Sequence, residues 1–218
     1  MEYETEEQQV EALKAWWAEN GRAVITGVVL GACTIGGWSL WQDHKESQAV
    51  AASDSFSRTM EAIKAGNTAE AVELADELAD DYPDNLYASY ANMAAASADV
   101  AGSDLSSAVS RLEWVADNAP QEDIQLIAKV RMARVQGALG DAATGLASLP
   151  GTFPSAFTGL VEEARGDLLL LNGDTDAART AYQAAQASRF VANPEGLTMK
   201  LNELAVPGEK KDTAESAS

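Results

Sequence analysis

The chain has 218 residues, with 34 acidic against 15 basic side chains and a formal net charge of −19. From Asp43 onward it carries 28 acidic and 13 basic residues, a net of 15 negative charges, and such a surface repels nucleic acid and anionic lipid. Alanine is abundant and aromatics are few, strand-like alternation is absent, and helical periodicity runs throughout, so the expected class is all-α with ample length for a core.

Residues 1–22 form a short acidic head, with Glu2, Glu4, Glu6, Glu7, Glu11 and Glu19 against Lys14 and Arg22. Residues 23–42 carry no charge and read AVITGVVLGACTIGGWSLWQ. At about 1.5 Å per residue this run spans roughly 30 Å, the thickness of a bilayer's hydrocarbon core. A cleaved signal peptide has a basic start and a shorter apolar core, so the run reads as an uncleaved transmembrane anchor. Trp16 and Trp17 precede it and Trp38 and Trp41 close it, where amphipathic rings sit at headgroup level. Lys14 and Arg22 on one side and Lys45 and Arg58 on the other nearly balance. The short head beside a large downstream body places the N-terminus in the cytoplasm and the body outside. Ala23, Gly27 and Gly31 lie four apart on one face, a packing seam for a partner helix. The plainer reading is that glycine is common in membrane helices. Cys33, inside the run, is the single cysteine, so no intramolecular disulfide forms.

The body, residues 43–206, is internally repetitive. Ala178, Tyr182 and Ala185 follow a Gly173-Asp174 turn at steps of four and three. Ala71, Ala75 and Leu78 repeat those steps, as do Ala108, Leu112 and Val115, then Ala142, Leu146 and Leu149. The first members stand 37, 34 and 36 residues apart, and each set follows a turn: Gly66-Asn67, Gly102-Ser103 or Gly140-Asp141. The spacing predicts about four helical hairpins stacked in series, each burying its apolar face against the next. Pro83, Pro120 and Pro194 stop the second helices, and Pro150 stops the third early. A last helix is expected over 195–205 as a cap, and the polar stretch 207–218 as a disordered tail.

These units resemble the tetratricopeptide repeat, most closely in the fourth, which includes Gly166 in its first helix. The whole chain carries a further resemblance. VEALKAWWAENGR runs into a glycine-rich span ending GGWSLWQDHK, and four degenerate repeats follow, with RMARVQGALGD from Arg131 and RGDLLLLNGDTDAARTAYQAA from Arg165. This is similar to the YfgM family, the ancillary subunits of the bacterial Sec translocon. The resemblance implies a bacterial inner-membrane protein with its repeat domain in the periplasm. It implies association with the SecYEG translocon and with a membrane-anchored periplasmic chaperone resembling PpiD, in aid of exported client proteins. A cell-envelope scaffold or stress-signalling regulator with another protein partner is the alternative.

Chemistry is sparse. His44, the single histidine, has no Cys or second His near it in sequence, so a metal site is not expected. Asn172 to Asp176 lacks the glycine and closing glutamate of a calcium loop, and Asp174 or Thr175 reads better as a helix N-cap. No phosphate loop or nucleophile motif occurs, so the expectation is a non-enzyme without cofactor. In tetratricopeptide stacks the first helices line the concave face. Counting back from the repeat positions puts Phe56, Met60, Tyr90, Met93, Ile127, Arg131 and Arg134 near it as candidate partner contacts. Met and aromatic side chains suit adaptable contacts, and the two arginines, conspicuous in an acidic body, suit a carboxylate. The competing reading is that the apolar ones fill the inter-repeat core and the arginines pair with local acids.

Overall fold

The structure is a computed structural model that describes residues 6–204. Among the described residues are nine α-helices, one 3-10 turn at Ser155–Phe157 and no strand. They are α1 (Glu6–Ala65), α2 (Thr68–Asp81), α3 (Leu86–Ala101), α4 (Leu105–Asn118), α5 (Glu122–Ala138), α6 (Ala142–Ser148), α7 (Thr158–Leu171), α8 (Thr175–Gln186) and α9 (Pro194–Glu203). The chain divides into two compact units between Ala51 and Ala52. The expected tail at 207–218 and the first residues of the acidic head lie outside the described residues.

In the first unit the uncharged run is continuous helix, and it is the one helix long and apolar enough to cross a membrane among the described residues. Ile25, Val28, Leu30, Ile35 and Leu40 all present exposed side chains. The Thr26 and Thr34 hydroxyls donate to the carbonyls of Arg22 and Leu30, each at 2.8 Å. Both threonine hydroxyls in the run are thus satisfied within the helix, as a hydrocarbon setting requires. Trp38 and Trp41 pack with ring centroids 5.2 Å apart, and the Lys45 ammonium lies 4.7 Å from the Trp41 ring centre. That cluster combines apolar rings with a charged tip, the composition of a headgroup-level anchor.

The second unit is a series of helical hairpins. The end of α1 pairs with α2, α3 with α4, α5 with α6 and α7 with α8, and α9 closes the series. One turn design joins the two helices of every hairpin. Gly173 at φ +86° ends α7, its N–H bonding to Leu170 O, while Asp174 N bonds back to Leu169 O at 2.9 Å. This Schellman pair caps the orphan carbonyls of the first helix. The same Asp174 then caps the second helix, its carboxylate accepting from Ala177 N at 3.1 Å. Gly140 with Asp141 repeats the arrangement, Asp141 accepting from Thr144 N at 3.0 Å. That backbone hydrogen bond, the largest influence, holds the Asp141 carboxyl below its usual range. Gly66 with Asn67 repeats the backbone bonds.

The second hairpin departs by one residue. Gly102 is right-handed at φ −78°, and Ser103 takes the left-handed position at φ +66°. Asp104 is the cap, accepting from Ser107 N at 3.1 Å and from Ser107 Oγ at 2.8 Å. A side chain with Cβ pays strain there that glycine does not. Ser103→Gly is therefore expected to stabilise the repeat unit by about 0.5–1 kcal/mol, read as a higher urea midpoint at unchanged slope. A lower midpoint would refute the strain.

Packing follows the expected register. Ala71, Ala75 and Leu78, then Ala108, Leu112 and Val115, then Ala178, Tyr182 and Ala185 are all buried. In the third hairpin Ala142 and Leu149 are buried and Leu146 is half-buried. Its second helix, α6, has only seven residues. Leu149 is already extended at ψ 139°, because Pro150 disfavours a helical residue before it. The last helix begins with Pro194 in its first turn and Asn193 as cap, accepting from Gly196 N at 2.9 Å. Its Leu197 is fully buried against the cluster of Ala178, Tyr182 and Ala185.

Two first helices are buried on more than one face. α3 gives Ala88, Ala91 and Ala95 to the cluster with α2 and Met93 and Ala96 to the cluster with α4 and α5. α5 gives Ile124 and Ala128 to that cluster and Leu126, Val130 and Ala133 to the next. A polar clasp also crosses the first two hairpins. Arg111 on α4 reaches Asp76 on α2 at 2.6 Å, and Asp99 and Asn92 on α3 at 2.9 and 3.2 Å. Asn92 in turn donates to the carbonyls of Ala75 and Ala88, both at 3.1 Å. Burial outweighs the pull of Arg111 and holds the Asp99 carboxyl above its usual range.

Candidate partner-binding surface

The first helices place the sequence-nominated side chains in two groups. Phe56 of α1 and Tyr90 of α3 form one, with Tyr87 between them in sequence space on the same helix as Tyr90. The Phe56 ring centre is 5.4 Å from that of Tyr87 and 6.4 Å from that of Tyr90. Phe56 and Tyr87 are half-buried against the core, whereas Tyr90 is 37% exposed. Met60, one turn beyond Phe56, is half-buried. Aromatic side chains of this kind offer large contact area with few rotatable bonds.

The second group lies on α3 and α5. Met93 is buried and Ile127 half-buried, both in the cluster built around Ala108, Leu112 and Val115. Arg131 and Arg134, three apart on α5, face a depression of about 300 Å³ whose apolar lining includes Ala96, Val100, Leu112 and Val135. Sequence reasoning named the arginines without Val100 and Val135. The available signal was Val135, four residues after Arg131 and so on the same helix face.

Charge around Arg134 is arranged by Asp167 on α7. Asp167 accepts from Lys200 Nζ at 2.6 Å and from the Tyr182 hydroxyl at 2.8 Å. Arg134 reaches the other Asp167 oxygen only at 3.7 Å, and its buried Nε has no hydrogen-bond partner. Lys200 also bonds Glu163 at 2.8 Å. Partial burial works against the Lys200 charge, but bonding to Asp167 and Glu163 outweighs it and holds the ammonium above its usual range. Burial first, then the bond to Asp167, pushes the Tyr182 hydroxyl up as well. Arg131 is exposed and makes no ion pair among the described residues.

In the first unit, a Cβ at Gly27 or Gly31 would meet nothing within 4 Å, and Ala23 is exposed. The small-residue face is therefore open to close approach along its length. Among the described residues no three His, Cys, Asp or Glu side chains are grouped to hold a metal ion. His44 lies exposed on α1.

Comparison with known proteins adds a second line of observation. A family model described as a tetratricopeptide repeat-like domain matches residues 14–206. The chain is 31% identical over 205 residues to the ancillary SecYEG translocon subunit of Escherichia coli (strain K12), covering 94% of this chain and 98% of that protein. It is 27% identical over 199 residues to the ancillary SecYEG translocon subunit of Haemophilus influenzae, covering 91% and 97%. The subunit of that name from Neisseria gonorrhoeae is 28% identical over 206 residues, with 91% and 97% covered. No solved structure matches significantly.

Proposed function

This chain belongs to the family of ancillary SecYEG translocon subunits with a tetratricopeptide repeat-like domain, and on that premise we propose that it is a single-pass inner-membrane adaptor at the Sec translocon. The observation that carries this reading is the extent of the match. It covers 94% of the chain, so the apolar helix and the hairpin stack are shared together rather than the repeats alone. The helix fixes the protein in the bilayer, and the stack supplies a protein-binding surface without catalytic machinery. In this reading the N-terminus is cytoplasmic and the stack is periplasmic. There it holds a membrane-anchored chaperone close to emerging client proteins. The Ala23, Gly27 and Gly31 face packs against a partner helix, and the first helices, with Phe56, Met60, Tyr90, Ile127, Arg131 and Arg134, serve the soluble partner, while Met93 is buried in the core. Two modest contacts on one chain reinforce each other through effective concentration.

Co-purification from gently solubilised membranes tests the reading. SecYEG and a membrane-anchored chaperone are expected with the wild-type chain. Gly27→Leu with Gly31→Leu should reduce SecYEG recovery about tenfold, because leucine blocks close backbone contact that lipid does not replace. Recovery of neither SecYEG nor a chaperone with the wild type would reject the adaptor. For orientation, protease added to spheroplasts should digest the stack and leave a small membrane-embedded fragment. Full protection of the stack would reverse the assignment.

A further inference from the structure

We propose that the depression between α3 and α5 binds an extended acidic segment of a protein partner, with a side-chain carboxylate held by Arg131 and Arg134 and an aliphatic neighbour against Val100 and Val135. The proposal rests on the adaptor reading and names the chemistry of the segment its stack receives.

Positive charge is scarce in this body, and four of the ten cations in residues 52–204 are held at close range by carboxylates of the stack. Arg111, Arg165, Arg179 and Lys200 each pair with a carboxylate at 3.2 Å or less. Arg131 pairs with none among the described residues, and Arg134 has only the 3.7 Å approach to Asp167. That carboxylate is already engaged by Lys200 and Tyr182. The buried Arg134 Nε–H is left without an acceptor, and an unmade bond at a buried donor has a cost. Arg111 shows what the same side chain does when acceptors are present, engaging one carboxylate through Nε and another through Nη1. Exposed, unpaired Arg131 and the weakly paired Arg134 line the same depression, and two neighbouring guanidiniums match a carboxylate, whose two oxygens both accept.

The lining decides what accompanies that carboxylate. Val100 is 41% exposed, and it meets Val135, Ala96 and Leu112 in the same depression. An aliphatic side chain next to the acid removes this surface from water. The lining residues come from the middle and end of α3, α4 and α5, and none lies in the first turn of a helix. Capture of a chain terminus uses backbone N–H donors of the kind found there. The occupant is therefore an internal Asp or Glu side chain rather than a C-terminal carboxylate.

The test uses the full chain in mild detergent and fluorescein-labelled, C-terminally amidated peptides read by anisotropy. The probe Gly-Ser-Glu-Val-Glu-Leu-Ser-Gly should bind, and its Gln-for-Glu counterpart should bind about tenfold more weakly, as expected for lost charge-assisted bonds. Arg131→Gln should lose the same factor while leaving the melting temperature unchanged, because Arg131 is exposed and unpaired. Arg131→Lys should fall between. Equal binding of the Gln peptide, or full binding by Arg131→Gln, would overturn the proposal. Preference for a Gln peptide with a free C-terminus would overturn the side-chain assignment. SecYEG recovery with Arg131→Gln separates the two readings: if it persists while peptide binding fails even in the wild type, only this inference is lost.

Discussion

Tyr182→Ala is expected to destabilise the repeat unit by about 3–5 kcal/mol, the range for truncating a fully buried aromatic side chain. Tyr182 is 1% exposed, and its ring fills the space above Gly166 on α7. A Cβ at Gly166 would lie 2.4 Å from that ring, so the two helices approach as closely as they do only because glycine faces tyrosine. The hydroxyl adds a bond to Asp167 at 2.8 Å, which truncation also removes. A double-mutant cycle isolates the contact. Gly166→Ala in the wild type should cost about 1–3 kcal/mol through overpacking. In the Tyr182→Ala background the same change should be neutral or stabilising, because space is available and alanine favours helix. Additive losses would mean that the ring does not rest on Gly166. The raised Tyr182 hydroxyl gives an alkaline signature. The unfolded chain ionises first, so stability falls as pH climbs past the ordinary tyrosine value of 10.0, and Tyr182→Phe removes that fall.

Arg111→Ala is expected to cost about 3 kcal/mol at neutral pH. The Asp99 side chain it leaves behind is 7% exposed, whereas Asp76 is 59% exposed and water replaces its partner cheaply. Nearly all of the loss therefore belongs to Asp99. Its pH dependence identifies the cause. Burial already holds the Asp99 carboxyl above its ordinary value of 3.8 in the folded protein, so its ionised form costs stability as pH rises through the folded value. Removing Arg111 widens that gap. The difference between variant and wild type should be largest at neutral pH and shrink on acidification through and below 3.8, as Asp99 takes up its proton in both. Asp99→Asn in the Arg111→Ala background should recover part of the loss at neutral pH. A pH-independent difference would instead mean that Arg111 acts through the packing of its stem.

The hairpin count, the turns and the buried register were legible because each depends on neighbours in sequence. Ala71, Ala108, Ala142 and Ala178 follow turn residues whose conformational demands are local, and the step of four and three fixes one face. Asp174 was legible as a cap for the same reason. The Gly102-Ser103 turn was found but displaced by one residue, since either residue can supply the turn and only the backbone bonds to Val100 and Asp99 decide. The first helices were harder. A count back along α3 assumes one buried face, but α3 is packed on two, and alanines on both sides carry no phase. Met93, nominated for the partner surface, lies in the core for that reason, while Tyr90, three residues earlier, stays exposed. The Arg111 clasp was invisible because its acceptors stand 12 and 35 residues away, and nothing local distinguishes Asp76 from the other acids of α2. The Asp167 cluster likewise joins residues 15 and 33 positions apart.

The shared turn residue has a consequence for how the stack is made. Asp104, Asp141 and Asp174 each belong to two helices at once, ending one through a backbone bond and capping the start of the other, and Asn67 shares the backbone bond. Such a joint is complete as soon as its own few residues exist, with no distant strand or helix to wait for. Loop closure over so short a span is rapid, and topologies rich in near-neighbour contacts fold quickly. A chain delivered N-terminus first can thus lock one hairpin before the next has emerged. Each finished hairpin then offers a templating face to its successor, so little unpaired apolar surface is exposed at any moment.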